Sequence, residues 1–203
     1  MAFRSSQPIS TSTSLIFRIQ QNDPDAWAHI VFMYRKLVFY WCAKRNVPTN
    51  DWDDISQSVF QIVHHYIGEF VRMEGKASFR PWLRSITLTR ISEYRKGLKN
   101  VPTLLSDTSI DLIRQSFVMP PPLPGEEEEE ENEKQIAFNQ ALELLKSSIE
   151  PQTWEAFHLT AVAQEDSLSV AKKLGMTATN VRKAKANVLR KLREEFEGFL
   201  EID

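Results

Sequence analysis

Between Ser167 and Arg193 the chain carries Lys172, Lys173, Arg182, Lys183, Lys185, Arg190, Lys191 and Arg193 and no acidic residue. A solvated helix face usually mixes charges, so an unrelieved positive run points to a polyanion as partner. Counting about 100° per residue from Val181, Thr179, Lys183, Ala186 and Arg190 fall opposite the apolar positions, with Asn180, Arg182 and Asn187 on the flanks. Short polar groups near a helix start suit base edges, and cations further along suit phosphates, which is the layout that reads duplex DNA.

Two other stretches present polar chemistry on a helical period. Asp54, Gln57, Ser58 and Gln61 lie opposite Ile55, Val59, Ile62, Val63 and Tyr66, an acidic and amide face that by itself is a solvated surface. From Ser78 onward Arg80, Arg84, Arg95 and Lys99, flanked by Thr89, Ser92 and Lys96, share the side opposite Phe79, Trp82, Leu83, Ile86 and Tyr94. Aromatics interleaved with cations fit single-stranded nucleic acid, because bases stack on rings while cations track the backbone; aromatics at helical spacing also simply build cores. Bond-making chemistry is missing. No glycine-rich phosphate loop, paired-cysteine motif, HExxH or nucleophile elbow occurs. His29, His64, His65 and His158 form no ligand pattern, and Asp53 with Asp54 lack a neighbouring nucleophile or metal partner. The expectation is a protein that binds, with no cofactor or metal, and is not an enzyme.

The elements that must position these residues are helices. Asp166 or Ser167 caps a first helix that buries Val170, Ala171 and Leu174 and stops at Gly175, and Thr177 caps a second in which Val181, Ala184, Val188, Leu192, Phe196 and Phe199 form the inward stripe. This pair is a helix-turn-helix pattern. Upstream, Leu15, Ile16 and Ile19 mark a short helix ending near Asn22, and Asp23 with Pro24 opens a longer one bearing Trp27, Val31, Tyr34, Val38 and Trp41. Helical spacing then runs from Trp52 to Phe70, the loop Met73 to Ser78 follows, and Ser78 caps the next helix. Helices resume near Glu133, and Pro151 starts another that carries Trp154, Phe157, Ala161 and Val162.

Composition fits an all-α chain: six glycines in 203 residues and few alternating runs. The formal net charge of −2 hides segregation, with cations near residues 80–99 and 167–193 offset by Glu126 to Glu131 and Glu133. One cysteine, Cys42, excludes an internal disulfide, and no apolar run approaches the roughly 20 residues of a membrane span, so no membrane insertion is expected. The polar N-terminus lacks a signal-peptide core, and a cytoplasmic location is expected. Residues 1–14 read as a disordered lead-in. Residues 100–132, with PPPLPG at Pro120 to Gly125 followed by six glutamates, read as a flexible, solvated linker. The expected organisation is therefore two helical domains, residues 15–99 and 133–203, the second with the helix-turn-helix.

The order of DWDDISQSVFQIV at Asp51 to Val63, SFRPWLRSITLTRISEYRK at Ser78 to Lys96 and SLSVAKKLGMTATNVRKAKANVLRKL at Ser167 to Leu192 resembles the bacterial RNA polymerase sigma factors of the extracytoplasmic-function group. NDPDAW at Asn22 to Trp27 and TWEAFHLTAV at Thr153 to Val162 are similar to the same group. The resemblance covers about Leu15 to Lys99 and Lys134 to Phe196. It implies that Asp53, Asp54, Gln57 and Gln61 dock on the clamp helices of core RNA polymerase. It further implies that Lys76, Arg80, Arg84, Thr89, Ser92, Arg95 and Lys96 act in melting and holding the minus-ten element on the opened nontemplate strand. Thr177, Thr179, Asn180, Arg182, Lys183 and Arg190 would read the minus-thirty-five element as duplex. Ser58 stands where the family pattern has an acid and Thr89 where an asparagine is common, and the polyglutamate run is no part of that pattern.

The implied function is promoter-specific transcription initiation with DNA strand opening, without catalysis by the chain itself. The alternative from the residues alone is a stand-alone helix-turn-helix regulator that binds duplex DNA as a dimer; a protein-binding adaptor is a third. The sequence leaves open whether an anti-sigma factor covers the exposed faces.

Overall fold

The computed structural model describes residues 15–67, 79–97, 127–196 and 199–200. Helix α1 (Leu15–Gln20) precedes α2 (Pro24–Lys44); a 3-10 turn at Thr49–Asp51 leads into α3 (Trp52–Tyr66), and α4 spans Phe79–Arg95. Then come α5 (Glu127–Lys146), α6 (Pro151–Phe157) prolonged by a π-helical segment at His158–Val162, α7 (Ser167–Leu174) and α8 (Ala178–Glu195). No strand occurs among the described residues, and the all-α expectation holds there. The lead-in at 1–14, the loop that contains Lys76 and Ser78, the expected cation Lys99, and positions 100–126 of the expected linker lie outside the described residues.

Helix starts follow local chemistry. The Asp23 carboxylate accepts from the amides of Asp25 and Ala26 at 3.0 and 3.4 Å, and Pro24 occupies the first turn, where no amide donor is needed. Glu150 does the same for Gln152 and Thr153 ahead of Pro151. Asp166 accepts from Leu168 and Ser169 at 2.9 and 3.1 Å, and Thr177 Oγ1 accepts from the Asn180 amide at 3.1 Å. Between α7 and α8, Gly175 adopts φ 64°, the left-handed conformation that ends a helix without a Cβ penalty.

Helix α2 lies at the centre and packs against α1, α3, α4 and α5. Its buried residues include Ile30, Met33, Tyr34, Leu37, Val38 and Trp41, so it is covered on more than one side, whereas Trp27 and Val31, expected inside, are only partly covered. Phe79, Trp82, Leu83 and Ile86 of α4 are buried as their spacing predicts, and all six stripe positions from Val181 to Phe199 are buried too. One core runs from Leu15 to Phe199 and includes residues of α2, α3, α4, α5 and the end of α8; a smaller cluster of Ala156, Val170, Ala171, Val181 and Ala184 sits around α7. Stretches on either side of the expected linker thus share a core.

The largest departure from the sequence reading is at residues 127–132, which the sequence assigns to a solvated linker. They form the first turns of α5, whose start lies upstream of Glu133. Glutamate is a good helix former and is favoured at a helix N-terminus by the dipole. Here Lys44 of α2 and Arg80 and Arg84 of α4 also pair with Glu129, Glu130 and Glu133, so the repulsion expected of an isolated glutamate run is relieved.

Candidate nucleic-acid and protein interfaces

The α7–α8 pair presents the most uniform cationic face. Thr177, Thr179, Asn180, Arg182, Lys183 and Arg190 are all exposed, while the opposite side of α8 buries Val181, Ala184, Val188 and Leu192. The Thr177 cap and the Gly175 turn fix where α8 begins, and Gln152 Nε2 donates to the Leu174 carbonyl at 3.0 Å, tying α6 to the turn. Arg190 differs from the others. Its guanidinium pairs with Glu194 one turn on, at 2.9 Å, so part of its charge is met within the helix. Arg182 and Lys183 form no ion pair with the described residues and leave the first turns of α8 strongly positive.

On α4 the residues expected along one exposed cationic side separate. Arg80 is buried, a correction to its expected exposure. Its guanidinium donates to Glu133 Oε2 at 2.6 Å and to Glu130 Oε1 at 3.0 Å. Arg84, with 21 % of its side chain exposed, pairs with Glu133 at 3.2 Å and with Glu129 at 3.7 Å. Glu133 also accepts from the Trp41 indole at 2.7 Å and is 2 % exposed, so one buried carboxylate joins α2, α4 and α5. Burying charge is tolerated only with such close pairing and hydrogen bonding. Lys134, and behind it Arg80, holds the Glu130 carboxyl below its ordinary range. Further along, Thr89 is partly exposed, Ser92, Arg95 and Lys96 are exposed, and Arg95 donates to the Arg45 carbonyl.

The acidic face of α3 borders a groove of about 870 Å³ between α2 and α3, lined by Trp27, Val31, Asp53, Gln57, Phe60 and Gln61 among others. Asp53 is salt-bridged to Arg35 at 2.6 Å, with both side chains at least half exposed, whereas Asp54 is exposed on α3 and does not line the groove. His64 stacks against Trp27 with ring centroids 4.7 Å apart, and its neighbour His65 meets the edge of Tyr66. The groove couples an apolar floor to a rim of the Gln57 and Gln61 amides and the Arg35–Asp53 ion pair, a mixture that suits a polar partner helix or loop.

The pairing of Glu129, Glu130 and Glu133 with α4 and Trp41 has no local counterpart in the sequence. The signal available was periodic: Glu133, Ala137, Gln140, Ala141 and Leu145 continue one buried stripe upstream into the glutamates. Among the described residues no group of three or more His, Cys, Asp and Glu side chains could hold a metal ion, and no helix is long and apolar enough to cross a membrane. Cys42 is fully buried on α2, and burial pushes its thiol up to about 11, the opposite of an activated nucleophile. Compared with known proteins, the chain matches no family model and no curated sequence.

Proposed function

We infer that the chain is a dissociable promoter-specificity subunit of bacterial RNA polymerase, a sigma factor of the extracytoplasmic-function kind. The observation that carries the reading is the α7–α8 pair. A capped helix, a left-handed glycine and a second capped helix present an outward face of Thr179, Asn180, Arg182 and Lys183 free of acids over its first turns. In this reading the pair is a helix-turn-helix and α8 enters the major groove of the minus-thirty-five element, its N-terminal residues on base edges and Arg190 on phosphate. The groove edged by Asp53, Gln57 and Gln61, with Asp54 exposed on the same helix, receives the polymerase clamp. The exposed and half-exposed cations and polar groups of α4, from Arg84 to Lys96, serve the opened nontemplate strand of the minus-ten element.

The test is co-purification with core polymerase and its dependence on Asp54. Asp54 is exposed and makes no ion pair with the described residues, so Asp54→Arg leaves the fold nearly intact while reversing a charge on the docking face of α3. The wild-type chain is expected to form a stoichiometric complex that the variant weakens. A chain that ignores core polymerase and instead binds a palindromic duplex as a dimer is a stand-alone regulator.

A further inference from the structure

We propose that the acidic first turns of α5 are a built-in cover for the cationic start of α4, so that the free chain is closed to single-stranded DNA until the outer end of that cover gives way. The inference rests on the reading of α4 as a nucleic-acid surface and adds to it the way that surface is regulated.

Carboxylate oxygens take the places that phosphate oxygens would need. Arg80 spends its guanidinium fork on Glu130 and Glu133, and Arg84 is shared between Glu133 and Glu129. On α2, Lys44 meets Glu129 at 3.5 Å, so the cover spans the edges of two helices. Guanidinium forks match carboxylate and phosphate equally well, and one ligand excludes the other.

The contacts are graded in strength. Glu133 is buried and anchored by both Trp41 and Arg80, with distances of 2.7 and 2.6 Å. Glu129 is 42 % exposed, and its contacts to Arg84 and Lys44 are 3.7 and 3.5 Å long. Long, exposed pairs are weak and screened by salt, so the outer end of the cover can be exchanged for a polyanion while Glu133 keeps the helices registered. Arg84 is the first arginine that such an exchange would release.

The experiment uses the full chain and a fluorescein-labelled single-stranded deoxyoligonucleotide, with affinity read by anisotropy. Glu129→Gln with Glu130→Gln removes two carboxylate charges and retains a good helix former at each site. Glu143→Gln with Glu155→Gln, at exposed positions elsewhere, changes net charge equally and controls for general attraction. Two partly exposed ion-pair sites released from competition should tighten binding roughly five- to tenfold over the control. Adding Arg84→Ala should abolish that gain. If the two double variants bind alike while Arg84→Ala weakens binding, α4 is a DNA surface that nothing covers and the proposal is wrong. If Arg84→Ala changes affinity in neither background, the nucleic-acid reading of α4 fails and the proposal with it.

Discussion

A side chain's neighbours across the fold decide what its charge can do, and Arg80 is the clearest case. On a helical wheel it belongs with Arg84 and Arg95, and Glu130 and Glu133, 50 and 53 residues away in sequence, help convert it into a buried structural group. No pattern confined to α4 could reveal that. Arg80→Ala should therefore act on stability, costing about 3–5 kcal/mol because Glu133 would be left buried with less compensation. Urea unfolding followed by circular dichroism measures it, and a loss under 1 kcal/mol would mean that the pairing carries little. For α8 the wheel was sufficient, since among the described residues no distant element covers its outer face. Lys183→Ala or Arg182→Ala should relax base preference at one promoter position by about tenfold. Arg190→Ala should weaken all sequences alike and lower the salt slope by about one at most, since Glu194 already competes for this cation. Titration of single-base duplex variants separates the two behaviours; a change of base preference confined to Arg190→Ala would require a different docking of α8.

Elements were legible in the sequence where their ends are set by adjacent residues. Asp23, Asp166, Gly175 and Thr177 act within a few positions of where they stand, and their roles came out as read. Gly175→Ala tests the turn. No atom lies within 4 Å of the place a Cβ would take, so the cost is that of the left-handed backbone alone, about 1–2 kcal/mol, seen as a lower melting temperature. The caps also predict an acid limb. Arg18 holds the Asp23 carboxyl below its ordinary value, and hydrogen bonds from Ser169 do so for Asp166. A depressed carboxylate adds stability that is complete above its unfolded-state value near 3.8 and is lost as pH falls through the lower folded value. Burial raises Glu195 instead, so its contribution has the opposite sign and improves as pH falls through its raised folded value. The melting temperature should thus hold or rise slightly on mild acidification and fall once the caps protonate below about pH 4; a monotonic decline beginning near neutrality would contradict this assignment. The start of α5 was not legible for the converse reason. A glutamate run is a helix or a solvated strand of charge according to whether cations meet it, and these come from α2 and α4.

At the scale of the molecule, the stripe from Glu133 through Leu145 places α5 on α2, and Phe196 and Phe199 at the end of α8 enter the same core as Tyr34 and Phe79. Periodicity announced each stripe but not its partner, because an apolar face specifies burial and not the surface that provides it. The result is an arrangement with α8's outer face open and the start of α4 occupied. A promoter-specificity subunit with these features would engage duplex DNA before it captures an opened strand. The direct test of the central claim is transcription in vitro: core polymerase alone and core polymerase with the chain are incubated on genomic DNA fragments, and the transcript 5′ ends are mapped. The account predicts a set of discrete starts that depend on the chain, preceded by two unlike elements at fixed spacing and lost with Asp54→Arg. Starts that are the same with and without the chain would contradict it.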